Sequence, residues 1–287
     1  MNQYHLGCPV WACENWVGKI FPRAAKRTEW VKHYSRCFNT VEGNTTFYAM
    51  PTIETAKRWA DQTEDGFRFA LKFPKVISHE KQLMHTQIET DQFLECLRIL
   101  SESNRLGPSF LQLPPDFSGS DFDLLKKYVI ELPSDLPFAI EPRHRDWFTE
   151  PFEKQFDQLL REHSIDRVIF DSRALFSQPP SDPIEKESQR RKPQSPICQT
   201  VTGKHPFLRF VGRNDLTLVD PWIAEWVPVV AGWIQSGLIP YVFTHSPDDT
   251  FAPEFAWKFH KQLKVIMPTL DDLPDPLPSE PTQLGLF

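Results

Sequence analysis

The sequence predicts one α/β domain in which eight parallel strands alternate with helices and close into a (β/α)8 barrel. Three observations carry that expectation. Short apolar runs such as Phe138-Ala139-Ile140 and Val168-Ile169-Phe170 lack the alternation of a half-exposed strand and read as strands buried on both faces. Each run is followed by a polar loop and a stretch of helical character, and a helix between two strands of one sheet requires them to be parallel. The length, 287 residues, suits one eight-unit barrel or two smaller domains.

Taken in order, Leu6-Gly7-Cys8 is the first strand; an aromatic loop with Trp11, Trp16 and Phe21-Pro22 follows, and Thr28 caps a helix to about Cys37. The second strand is Asn39-Thr40-Val41-Glu42, with Gly43-Asn44-Thr45-Thr46-Phe47-Tyr48 as its exit loop and a helix from Thr52 to about Gln62. Phe67 to Lys72 is the third, leading past His79 to a helix between about Glu89 and Ser101. Ser109 to Leu113 is the fourth; Pro114-Pro115 stops it, and a helix from about Asp121 to Glu131 follows. The fifth strand, Phe138 to Glu141, runs abruptly into Pro142-Arg143-His144, as a buried strand does at a polar carboxyl end, and its helix spans about Glu150 to His163. Val168 to Asp171 is the sixth. From Ser177 to Pro206 the chain is polar and proline-rich, carries Arg190-Arg191-Lys192, and reads as a long irregular loop between strands six and seven. Pro206 to Val211 is the seventh strand, with a helix from Trp222 to Gln235; Ile239 to Thr244 is the eighth, with a helix from Glu254 to Ile266. Residues 1–267 are thus expected to form the barrel domain. Residues 268–287 are an extended tail, because Pro268, Pro274, Pro276, Pro278 and Pro281 oppose compact packing.

Composition narrows the function classes. Hydrophobic residues make up 40% and charged residues 24%, and no apolar run approaches the roughly 20 residues of a membrane span. The start, Met1 to Gly7, has neither the basic end nor the apolar core of a secretory signal, so a cytoplasmic protein with no membrane partner is expected. Cys8, Cys13, Cys37, Cys96 and Cys198 are odd in number and lack paired metal spacing, which points to reduced thiols. A net charge of −6 disfavours broad attraction to nucleic acid while leaving room for a local basic cleft.

In such a barrel, side chains at the carboxyl ends of the strands meet at one mouth. Those positions are Glu42, Lys72, Gln112, Glu141, Asp171, Arg209 and Thr244-His245, with Asn44, His79, Arg143 and His144 just beyond. Burying so many ionisable groups costs several kcal/mol each unless they pair or bind something, so they form either a structural salt-bridge network or a site. As a site, Glu42, Glu141 and Asp171 are candidate acids and bases with His144 as proton shuttle. Asn44, Lys72, His79, Gln112, Arg143 and Arg209 would hold an anionic or phosphate-bearing substrate, since guanidinium groups grip phosphate or carboxylate oxygens in pairs and lysine adds a point charge. Trp11, Trp16, Phe47, Tyr48, Trp147 and Phe148 are expected in loops over the same mouth, mostly as packing. No cofactor is assigned. A divalent metal on Glu42, Glu141, Asp171 and a histidine would compete with Lys72 and Arg209 for the acidic charge, and no His-Glu-x-x-His motif is present.

These segments together resemble the domain-of-unknown-function 72 (DUF72) family of bacterial proteins, over Gly7 to about Leu263. The resemblance rests on Trp16-Val17-Gly18 with Phe21-Pro22, Thr40 to Tyr48, Lys72-Phe73-Pro74-Lys75 with His79, Leu106-Gly107-Pro108, Gln112 to Pro115, and Glu141 to His144 with Trp147-Phe148. It implies a TIM-type barrel and supplies no activity. Two places depart from the family pattern: Gly7-Cys8-Pro9-Val10-Trp11 stands where many members have Gly-Thr-Ser-Gly-Trp, and Thr244 to Asp248 replaces paired asparagines. The end of the tail, Gln283-Leu284-Gly285-Leu286-Phe287, is similar to the short peptide by which bacterial DNA-processing proteins dock on the replication sliding clamp, which makes that clamp a candidate partner.

Three functional readings follow. The first is a hydrolase-type acid/base enzyme acting on a phosphate-bearing substrate, nucleic acid included. The second is a glycosidase or sugar isomerase using paired carboxylates. The third is a non-catalytic anion-binding module recruited through its tail.

Overall fold

The computed structural model describes residues 4–274. The expected docking peptide Gln283–Phe287 lies outside them. Eight strands are present at His5–Gly7 (β1), Thr40–Gly43 (β2), Arg68–Leu71 (β3), Ser109–Gln112 (β4), Phe138–Glu141 (β5), Asp166–Asp171 (β6), Phe207–Val211 (β7) and Tyr241–His245 (β8). Helices lie at Trp30–Cys37 (α1), Thr45–Tyr48 (α2), Ile53–Gln62 (α3), Gln87–Glu102 (α4), Phe122–Glu131 (α5), Phe152–Glu162 (α6), Arg173–Phe176 (α7), Pro183–Arg191 (α8), Asp220–Gln235 (α9) and Ala252–Ile266 (α10).

All pairings are parallel, but the ladders do not close into the expected eight-strand barrel. They form a six-strand half-barrel in the order β1-β8-β7-β6-β5-β4 and a separate two-strand sheet, β2-β3. The seams show why. Between β3 and β4 only the single bridges Phe69–Leu106 and Lys72–Phe110 form. Between β1 and β2 the Glu42 N–H donates to the Cys8 carbonyl at 3.0 Å, and side chains supply the other bonds in place of a ladder. The Asn39 amide donates to the Tyr4 carbonyl at 3.0 Å and accepts from the Leu6 N–H at 2.8 Å. The Tyr34 hydroxyl accepts from the Cys8 N–H at 2.7 Å and donates to the Thr40 carbonyl at 3.0 Å. Only a glycine fits beside this relay: a Cβ on Gly7 would lie 2.0 Å from the Thr40 oxygen.

Strand parity sorts the core. Ala70, Phe110, Ala139, Val168, Phe207, Tyr241 and Phe243 form one buried cluster on the concave side. Their alternates, such as Leu111, Ile140, Ile169, Leu208 and Val242, join the larger cluster packed under the helices.

The crossover from β6 to β7 is not the irregular loop the sequence suggested, because it contains α7 and α8. The Asp182 carboxylate caps α8 by accepting from the Glu185 N–H at 2.8 Å, with Pro183 in the first turn. Glu185 is fully buried and accepts from Arg213 Nη2 at 2.6 Å and from the Asn214 N–H at 2.9 Å. The helix buries an ion pair in place of an apolar stripe, and the missing stripe is what hid it. Beyond α10, Leu270 is buried and Trp257 Nε1 donates to the Pro274 carbonyl at 3.2 Å, so the first residues after the helix lie against it. No helix among the described residues is long and apolar enough to cross a membrane.

Candidate functional site

The same parity that fills the concave side with Ala139 and Phe207 sends the next inward residue of each strand, two positions on, towards the carboxyl end. That residue is Glu42 on β2, Lys72 just after β3, Glu141 on β5, Phe170 on β6, Arg209 on β7 and His245 on β8.

Arg209 is the hub. Its guanidinium forks onto Glu42, with Nε donating to Oε2 at 2.8 Å and Nη2 to Oε1 at 2.6 Å, while Nη1 donates to Glu141. Glu42 also accepts from Asn44 Nδ2 at 2.7 Å and faces His245 Nε2 at 3.0 Å. The second oxygen of Glu141 pairs with Arg143. Both glutamates are fully buried, and the guanidinium groups of Arg143 and Arg209 lie 4.4 and 5.3 Å from the centre of the Phe170 ring.

The electrostatics follow from these contacts. Burial alone would push the Glu42 carboxyl up, but Arg209 and His245 outweigh it and hold it well below the usual carboxylate range. Burial acts on Glu141 likewise, and Arg143, Arg209 and Lys72 together keep its carboxyl low. Burial lowers His245 to about 4 against the pull of Glu42, so its imidazole is neutral at neutral pH and Nε2–H donates to the carboxylate. Lys72 is different. It is 8% exposed, its Nζ sits 3.8 Å over the Phe47 ring, and no carboxylate among the described residues is within ion-pairing distance. Burial, reinforced by repulsion from Arg209 and Arg143, exceeds the attraction of Glu141 and Glu42 and lowers its ammonium to about 7.

The remaining expected residues fall around or away from this cluster. His79 is half-buried, its Nδ1 lies 2.8 Å from Ser78 Oγ, and its ring stands edge-on to Phe47 at 4.9 Å; burial and the nearby Lys72 lower it to about 4. Gln112 is half-buried at the end of β4, its backbone in register with Glu141. Asp171 is not in the cluster. It follows Phe170, so parity turns it outward, where it accepts from Trp226 Nε1 at 2.7 Å and from Arg173 at 2.9 and 3.0 Å. His144 also lies apart, half-exposed, its Nδ1 accepting from the Asp146 N–H at 3.3 Å as the cap of a short helical turn. Trp11, Trp16 and Trp147 are buried packing residues, while Tyr48 is 81% exposed beside Phe47.

Two residues that the sequence did not assign to the mouth belong with the cluster, although Lys192 was noted in the basic run Arg190-Arg191-Lys192. Lys192, at the end of α8, is half-buried, and its charge is felt by His245 and Asp249. Asp249, half-buried in the loop after β8, is raised to about 6 by burial against the opposing pull of Lys192. The legible signal for Lys192 was the Asp182-Pro183 start of α8; Asp249 offered none. A metal would find Glu42 and His245 adjacent, but both oxygens of that carboxylate are held by Arg209.

Fold and site define an α/β protein with an arginine-bridged pair of buried carboxylates at the carboxyl end of a parallel half-barrel. The chain belongs to the family described as protein of unknown function DUF72, whose model matches residues 5–281. The UPF0759 protein YecE of Escherichia coli is 34% identical over 284 residues, 99% of each chain. The UPF0759 protein YunF of Bacillus subtilis is 29% identical over 161 residues, 53% of this chain and 54% of that one. A crystal structure of a DUF72 family protein from Enterococcus faecalis superposes with a TM-score of 0.71 at 22% identity, covering 98% of this chain and 100% of that one. Another, from Thermotoga maritima, gives 0.67 at 23%, covering 91% and 99%. These two likenesses concern the fold.

Proposed function

We propose that the cluster binds a small phosphate-bearing substrate and performs acid/base chemistry on it, with Lys72 as the proton-transfer group. The observation that supports this most is the ammonium of Lys72: buried over Phe47, without a carboxylate partner among the described residues, and lowered to about 7. An amine in that state gives up or takes a proton at neutral pH. It is also the inward cation left for an incoming anion once Arg209 is committed to Glu42 and Glu141. Arg143 and Lys192 supply further positive charge, and Glu42, Arg209 and Glu141 act as a rigid frame. A two-carboxylate glycosidase mechanism is less well supported, because it needs one protonated carboxyl and both glutamates are held ionised.

Calorimetry with inorganic phosphate, and a screen of phosphomonoesters and phosphodiesters, test the reading. Wild type should bind phosphate, and Lys72→Met should weaken that binding at least about tenfold, the worth of one lost charged contact, and abolish any turnover found. Phosphate binding without turnover of any ester would leave the anion-binding module; no binding at all would remove the site. Docking of Gln283–Phe287 on a sliding clamp is a separate proposal. It predicts clamp recovery in a pull-down with full-length protein and none after deletion of those five residues.

A further inference from the structure

We infer that Lys72 is a nucleophile that forms an imine with the carbonyl group of a small phosphorylated aldehyde or ketone. This rests on the phosphate-binding reading above and narrows its substrate class. Lys72 differs from the ion-paired lysines of the fold. Lys19, Lys81, Lys258 and Lys264 each hold a carboxylate, Glu254, Glu89, Asp220 and Asp272 respectively. Among the described residues Lys72 has no such partner: the two nearby glutamates are claimed by Arg143 and Arg209, and its Nζ lies over the ring of Phe47. A desolvated amine beside other cations is the environment in which lysine becomes a nucleophile at neutral pH.

The chemistry balances without a further reagent. The Nζ lone pair attacks the carbonyl carbon, and the carbonyl π pair moves to oxygen, which takes a proton. Nitrogen then loses a proton and the hydroxyl leaves as water, giving the imine, which becomes a cationic iminium on protonation. That cation faces the same ionised Glu141 that faces the ammonium. It draws electrons from the neighbouring carbon, the requirement for proton abstraction or carbon–carbon cleavage next to a carbonyl, while Arg143 and Lys192 remain to hold the phosphate.

The test uses full-length protein, dihydroxyacetone phosphate as probe, borohydride reduction and peptide mass mapping, with phosphate calorimetry alongside. The reduced adduct should concentrate on Lys72, be suppressed by excess inorganic phosphate and be lost at that position in Lys72→Arg, which keeps a cation there. Adduct formation at Lys72 should be half-maximal near pH 7, whereas exposed lysines react only towards their ordinary value of about 10.4. If phosphate binds but borohydride fixes no adduct on Lys72, the imine is overturned and the phosphate site stands. If phosphate does not bind, the underlying reading falls.

Discussion

Arg209 sits between two carboxylates that have no exposure of their own; it is the strongest charge holding Glu42 ionised and shares Glu141 with Arg143. Removing one member of a buried ion pair costs about 3–5 kcal/mol, because the partner is left charged and dry. Arg209→Met should therefore lower stability by at least that amount in urea denaturation; a loss below about 1 kcal/mol would mean that the glutamates find other partners. Lys72 predicts the opposite sign. Its folded-state value of about 7 lies below the 10.5 of the unfolded chain, so below pH 7 both states carry the proton and the folded state bears the full cost of a buried cation. Lys72→Met should raise the melting temperature most below pH 7. That advantage should shrink as pH rises from about 7 to 10.5, where the wild-type amine is neutral in both states.

Strand order, strand ends and most helices were legible, because apolar runs and helical periodicity are local signals. The residue at the end of each strand was legible too, but which way it faced was not until parity was applied: Glu42, Glu141 and Arg209 point inward, while Asp171 is one step out of phase with Phe170 and points outward. The open seams were hidden because the Asn39 amide and Tyr34 hydroxyl that replace the ladder are single side chains with no period. Tyr34→Phe deletes the atom that both accepts from Cys8 and donates to Thr40, leaving a buried N–H unsatisfied. It should cost about 1–3 kcal/mol, read from denaturant midpoints at constant slope. The helix α8 escaped notice because its buried side is Glu185 against Arg213. Glu185→Ala should expose the amides of residues 177–206 to hydrogen exchange while the strands keep their protection; unchanged exchange there would show that the ion pair does not hold the crossover.

Across the whole molecule three histidines share one property. His5, stacked on Tyr241 at 4.4 Å at the opposite end of the strands, His79 beside Phe47, and His245 against Glu42 are each lowered to about 4, burial being the largest cause in every case. All three are neutral in the folded state at pH values where the unfolded chain, with histidines near 6.5, already binds protons. The three histidines then lower stability as pH drops from about 6.5 to 4, by up to about 1.4 kcal/mol per pH unit for each histidine in the window, against a smaller opposite contribution from Asp249, whose folded-state value is raised to about 6. Half-buried His79 contributes the least, because solvent screens its neighbours. Glu42 extends the loss below pH 4.5, since its stabilising contribution exists only while the carboxylate is ionised. His245→Asn removes one of the three titrations while leaving an amide to face Glu42. The variant's stability curve, measured by urea denaturation between pH 4 and 6.5, should fall less steeply than that of the wild type. Parallel curves would mean that His245 titrates normally, and that the carboxylates it faces are less enclosed than their burial implies.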